Sequence, residues 1–151
     1  MRAYLIRDAE IADVYALARN LRDGDRLECA GYGLSPREGL RRAYRAALYR
    51  RVAAIGGEVA AMWGICGPAL GRTGYPWLMT APAVERVPVS FFREARRELG
   101  RMRRMYLRLE GQVAAEYVMA CRFLEVLGFA LGPAREFGPC KAKFRAFVLE
   151  D

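Results

Sequence analysis

The stretch Ala115 to Phe129, AEYVMACRFLEVLGF, constrains the fold of this chain more than any other. Tyr117, Ala120, Cys121, Leu124 and Leu127 recur at helical spacing and lay one apolar stripe along one side of an α-helix. Gly128 supplies the left-handed residue that ends such a helix, and Phe129 opens the next segment. What this helix packs against is set by the segments before and after it.

Met1 to Arg7 reads as a strand, with Asp8 placed to cap a helix that carries Ile11, Val14, Tyr15, Ala18 and Leu21 on one face. Arg22 to Leu34 is polar and contains glycine, so it reads as a loop. Ser35-Pro36-Arg37-Glu38 combines a capping box with proline at the first helical position, and Leu40, Tyr44, Ala47 and Leu48 follow on one face. Arg51–Ile55, Gly56-Gly57 and Glu58–Cys66 form a hairpin pattern, because paired glycines supply the positive φ of a tight primed turn. Trp77 to Thr80 is a further short strand, and Ala81 to Val89, with two prolines, is a connector.

From Ser90, read as an N-cap, Phe92, Ala95, Leu99 and Met102 give an apolar stripe, and Arg93, Arg97, Arg101 and Arg104 a basic one. Leu107, Leu109 and Val113 alternate with polar residues in a strand that leads into the Ala115–Phe129 helix. Ala142, Phe144, Ala146 and Val148 alternate in a last strand. The predicted order is strand, helix, helix, three strands, helix, strand, helix and two strands. This is an α/β chain with a mixed sheet, helices on both faces, and a single domain over residues 1–151.

Composition narrows function by exclusion. The chain has no histidine, and its four cysteines, Cys29, Cys66, Cys121 and Cys140, form no CxxC pair, so no metal site is expected. Reduced thiols and a cytoplasmic setting follow, since charge interrupts the N-terminus before an export segment forms. No run of about 18 apolar residues appears, so no membrane partner is expected. The net charge of +8 favours acidic partners in general.

The ending Arg122 to Phe129 resembles the signature that closes the last helix of the GNAT-superfamily N-acyltransferases, and the predicted element order is the GNAT order. With Asn20 to Glu28 and the Trp77-Leu78-Met79-Thr80 strand, the chain is most similar to the small GNAT-like proteins of tailed phages, some of them internal virion or morphogenesis proteins. The resemblance implies a GNAT-like fold, acetyl-CoA as cofactor, an amine acceptor, and a phage or host protein as partner.

The family's chemistry is only partly present. Its members hold the acyl-CoA pyrophosphate on the backbone of a glycine-rich turn, where Thr80 to Ser90 here has no glycine and contains Pro82 and Pro88. Many also carry an early Asn in the last helix and a Tyr four residues before the glycine, the latter as general acid; those positions hold Tyr117 and Leu124. The candidate cofactor contacts are therefore Met79, Thr80, Ala81, Arg86 and Ser90, and the candidate catalytic residues are Glu110 and Tyr117. Glu28, Asp25 and Glu58 are further carboxylates for a base. A core role for Tyr117 and an Arg-paired strand role for Glu110 stand beside these. Weak or absent acetyl-CoA binding is expected, and two functions stay open. One is a catalytically degenerate protein of virion assembly or macromolecular binding, with Arg93, Arg97, Arg101 and Arg104 able to meet nucleic acid without sequence preference. The other is an active acyl-CoA-dependent N-acetyltransferase.

Overall fold

The computed structural model describes residues 4–150, so Met1, Arg2 and Ala3 of the expected first strand lie outside the described residues. Seven strands form one sheet in the order β1-β2-β3-β4-β5-β7-β6. They are β1 Tyr4–Asp8, β2 Tyr49–Ile55, β3 Glu58–Cys66, β4 Thr73–Thr80, β5 Arg108–Ala114, β6 Ala130–Phe137 and β7 Ala142–Glu150. The helices are α1 Ile11–Ala18, α2 Asp23–Gly31, α3 Pro36–Ala46, α4 Pro88–Met105 and α5 Val118–Leu127. The mixed α/β class and GNAT-like strand order are as expected from sequence, with one helix more.

That additional helix, α2, occupies the segment read as a loop. The capping sites also shift. Asp8 is the last residue of β1 rather than a cap, and α1 is capped by Glu10 in a reciprocal box with Asp13. Pro88 opens α4 with Val87 as its cap, so Ser90 is an interior first-turn residue. The connector after β4 contains a 3-10 turn, Pro82–Arg86. The last helix starts at Val118, with Tyr117 at its N-cap. Capping by sequence failed because the residues at the caps, Glu10, Val87 and Tyr117, are not of the Ser, Thr, Asp or Asn type that marks a helix start. Ser35 is the exception: its hydroxyl accepts the Glu38 N–H and Glu38 reaches back, as the motif specifies.

The hairpin β2–β3 turns on Gly56 and Gly57, with φ of 59° and 83°. The register of this pair shifts between Ala53 and Ala54. One core lies under α4 and α5 around Trp63, Ile65, Met102, Leu109 and Phe147. The other lies under α1 to α3 around Val14, Leu17, Leu40, Val52 and Met62. Because strand side chains alternate, Leu109 and Val113 in the first core put Glu110 and Gln112 on the α1–α3 side. No helix among the described residues is long and apolar enough to cross a membrane.

Candidate functional site

The site begins where two parallel strands separate. β4 and β5 pair only at Thr73 with Arg108 and at Gly74 with Leu109, then diverge. Pro76, within β4 and two residues past this pair, brings no N–H for a ladder bond. The opening holds a cavity of about 850 Å³ that is lined from both sides of the sheet. Phe91, Leu99, Phe123 and Leu124 line it from α4 and α5; Asp25, Glu28 and Tyr32 line it from α2 and its end.

α2 ties the diverging strand ends together. Asp25 Oδ2 accepts the Thr80 hydroxyl at 2.6 Å, the Thr80 N–H at 3.2 Å and the Tyr117 hydroxyl at 3.3 Å. Three residues on, one helical turn along α2, Glu28 Oε2 accepts the N–H of Ala114, the last residue of β5, at 3.3 Å. Arg22 completes this knot: its Nε donates to the Thr80 hydroxyl at 2.8 Å, and it lies 3.6 Å from Glu85 and 4.0 Å from Asp25. Gly24 permits the arrangement, because a Cβ there would fall within 2.4 Å of the Tyr117 ring.

Burial dominates the electrostatics. It pushes the Asp25 carboxyl up, against the pull of the Thr80 hydroxyl and the Arg22 charge. It pushes half-buried Glu28 up to about 8, with the Ala114 N–H pulling down and Asp25 pushing further up. Tyr117 is harder to ionise than an ordinary tyrosine, through burial and then the Asp25 charge. Its proton is donated to Asp25, so the hydroxyl is committed to a structural bond.

The structure brings Met79, Thr80, Glu110 and Tyr117 together on one cavity wall or another, and leaves Ala81, Arg86 and Ser90 outside that lining. Ala81 is fully buried and donates its N–H to the Ala60 carbonyl at 2.7 Å. Arg86 pairs with Glu58 at 3.2 Å on the surface, which also occupies that candidate base. Glu110 accepts from Arg108 Nε at 2.8 Å, and Arg108 also reaches Glu150 at 3.2 Å. Sequence reasoning missed Arg22 and Tyr32, since a polar segment read as a loop gave them no position. A polar run with two carboxylates at i and i+3 was the available signal.

The segment after β4 is poor in free donors. Of residues 81–88, Pro82 and Pro88 have no N–H, and Ala81, Val84 and Val87 donate theirs to protein carbonyls. Among the described residues, no group of three or more His, Cys, Asp or Glu side chains is placed to hold a metal ion.

No protein-family model and no curated protein matches the chain. Solved structures do. The GNAT-family acetyltransferase from Bacillus anthracis is 13% identical, with 97% of this chain and 94% of that one covered and a TM-score of 0.69. This chain has the GNAT fold. The ribosomal-protein-S5-alanine acetyltransferase from Vibrio fischeri is 12% identical over 97% and 92% of the two chains, with a TM-score of 0.66. A ribosomal L7/L12 alpha-N-protein acetyltransferase, solved in complex with coenzyme A, is 10% identical over 97% and 93%, also at 0.66. The GNAT likeness of the sequence thus extends to the whole architecture, and the solved structures of similar fold include one in complex with coenzyme A.

Proposed function

We propose that the chain is a catalytically degenerate protein of the GNAT fold, acting in virion assembly or macromolecular binding rather than in acetyl transfer. The observation that carries the loss of acetyl transfer is the donor-poor segment 81–88. By family resemblance a pyrophosphate would be held there, yet five of eight backbone positions offer it nothing. The residues do not fit the group. Arg22, the one cation on the cavity wall among the described residues, is already held by Thr80 and Glu85. Tyr117 points its proton at Asp25, and Leu124 stands where the family's acid would be.

The assembly role rests on the sequence resemblance to GNAT-like proteins of tailed phages. It places the chain in the host cytoplasm and then in the particle, with a phage or host protein as partner.

A second reading, an active acyl-CoA-dependent N-acetyltransferase, is favoured by one observation: the cavity between β4 and β5 runs open to both sides of the sheet. Calorimetry with acetyl-CoA separates the two. Each charge-assisted hydrogen bond contributes about 1.5 to 3 kcal/mol, so two missing bonds weaken affinity by roughly two to four powers of ten. No measurable isotherm at micromolar acetyl-CoA is expected. A one-to-one isotherm with micromolar Kd overturns the degenerate reading.

A further inference from the structure

We infer that the outer face of α1 and α3, built on Tyr15 and the arginine row Arg37, Arg41 and Arg45, docks an acidic helix of a partner protein, one whose carboxylates recur every four residues. This goes beyond the proposed function: the surface lies outside the cleft and acts whether or not acetyl-CoA binds.

The first ground is where the charge lies. The chain has 25 Lys and Arg against 17 Asp and Glu, yet its cavity is lined by Asp25, Glu28, Glu85, Glu94, Glu98 and Glu110 against Arg22 alone among the described residues. The basic surplus is therefore on the exterior, and α1 and α3 carry a part of it that no acid offsets. Arg19, Arg37, Arg42 and Arg45 are exposed and Arg41 is half-buried. The ion pairs among the described residues use none of these arginines. The acids nearby are engaged: Glu38 accepts the Ser35 hydroxyl at 3.0 Å in the α3 cap, and Asp13 holds Arg7 at 2.7 Å. Like charges four residues apart on a helix repel. The fold keeps this row where its own contacts do not neutralise it, so the complementary charge comes from outside.

The second ground is order and spacing. The Arg37 guanidinium lies 4.6 Å from the centre of the Tyr15 ring, and the Arg50 guanidinium 4.0 Å from that of Tyr44. The Tyr15 hydroxyl is held by Arg41 and then by Arg37, which draw its pKa below the ordinary tyrosine value. Guanidinium groups already stacked and bonded lose less freedom on meeting a carboxylate, and each offers a planar fork for both of its oxygens. Arg37, Arg41 and Arg45 follow one another at about 6 Å, over about 12 Å in all. An α-helix bearing Glu at i, i+4 and i+8 has the same rise, so three forks meet three carboxylates in register. Ile11, one turn before Tyr15 on α1 and 44% exposed, adds an apolar contact for that helix. A nucleic-acid duplex fits less well. The row covers only about a third of a duplex turn, and the α4 arginines, on the opposite face of the sheet, cannot extend it.

Fluorescence anisotropy of labelled alanine-based helical peptides, titrated with the full chain at low salt and neutral pH, tests this. One peptide carries three Glu at four-residue spacing, a second has Gln at those positions, and a third carries the three Glu as neighbours. The spaced Glu peptide is expected to bind one-to-one, with the Gln peptide at least roughly tenfold weaker and the clustered peptide roughly fivefold weaker. Arg37→Gln with Arg41→Gln is expected to weaken the spaced peptide by roughly tenfold. Arg37→Lys with Arg41→Lys, which keeps the charge and loses the fork, is expected to weaken it by roughly threefold. Arg122→Gln with Arg135→Gln removes the same charge from exposed positions elsewhere and is expected to leave binding unchanged. Thermal unfolding checks that each double variant keeps its fold, and should the first Gln pair unfold, the Lys pair carries the test. Equal binding of the spaced and clustered peptides, an equal loss in both Gln pairs, or no binding of the spaced peptide at millimolar concentration overturns the inference. So does tighter binding of a short DNA duplex that is lost with Arg37→Gln and Arg41→Gln, which would assign the face to nucleic acid.

Discussion

Glu28 sets a pH dependence that no surface carboxylate of this chain would show. Burial raises its folded-state value to about 8, from 4.5 for the free side chain. When the folded value is the higher one, the unfolded chain loses its proton first as pH rises. Stability contributed by this group is therefore full below about 4.5, declines as pH rises toward 8, and levels off above it. The Glu28→Gln variant keeps an oxygen for the Ala114 N–H and removes the titration. Its stability relative to the parent is expected to climb from about pH 5 to about pH 8 and then hold, amounting to a few kcal/mol. Denaturant midpoints across that range check this, and a difference that is flat with pH contradicts it. Asp25, also raised by burial, titrates in both proteins, and the difference reads Glu28 together with its coupling to Asp25.

At the scale of elements, most of the fold was legible and α2 was not, for a physical reason. Helices α3, α4 and α5 bury apolar stripes, and the hairpin carries its glycine pair, so periodicity and turn chemistry expose them. The buried side of α2 is Asp25, Cys29 and Gly31, and its sequence, DGDRLECAG, shows no apolar stripe to find. What holds α2 is tertiary: its carboxylates satisfy Thr80 and Ala114 at the two strand ends. The site was legible only as separate residues for the same cause: Asp25, Glu28, Glu110 and Tyr117 are all candidates from sequence, but the helix that joins Asp25 to Tyr117 is not visible there. Two glycine substitutions separate local propensity from this packing. Gly100 in α4 has nothing within 4 Å of an added Cβ, so Gly100→Ala is expected to stabilise by about 0.5 to 1 kcal/mol. Gly24→Ala gains the same helix propensity but drives the Tyr117 ring from Asp25, and is expected to destabilise by about 1 to 3 kcal/mol. Thermal unfolding of both variants measures the contrast; equal shifts in the same direction would show that the knot contributes little.

The whole molecule divides its charge, basic outside and acidic within the cleft, and this bounds what the exterior does. α3 carries a second arginine row, Arg37, Arg41 and Arg45, but it and the α4 row cannot act as one footprint, because α3 and α4 cover opposite faces of the sheet. The α4 row is also smaller than its sequence suggests. Arg97 is paired with Glu94 at 2.8 Å, and Arg101 lies 4.6 Å from the centre of the Tyr49 ring. Arg93, Arg96 and Arg104 remain exposed along α4. Spacing along a helix shows which residues share a face, but not which of them are already engaged by neighbours. We propose that any duplex DNA contact made by this face is weak and independent of sequence, using no more than these arginines. Each phosphate neutralised contributes about −0.9 to the slope of log affinity against log salt, so three contacts give roughly −2.7. Fluorescence anisotropy of a labelled duplex across low to moderate salt reads that slope. A value steeper than about −5.4, more than all six α4 arginines could give, would require the α3 row as well and would contradict the separation of faces, while a slope near zero would remove nucleic acid from the partners of this protein.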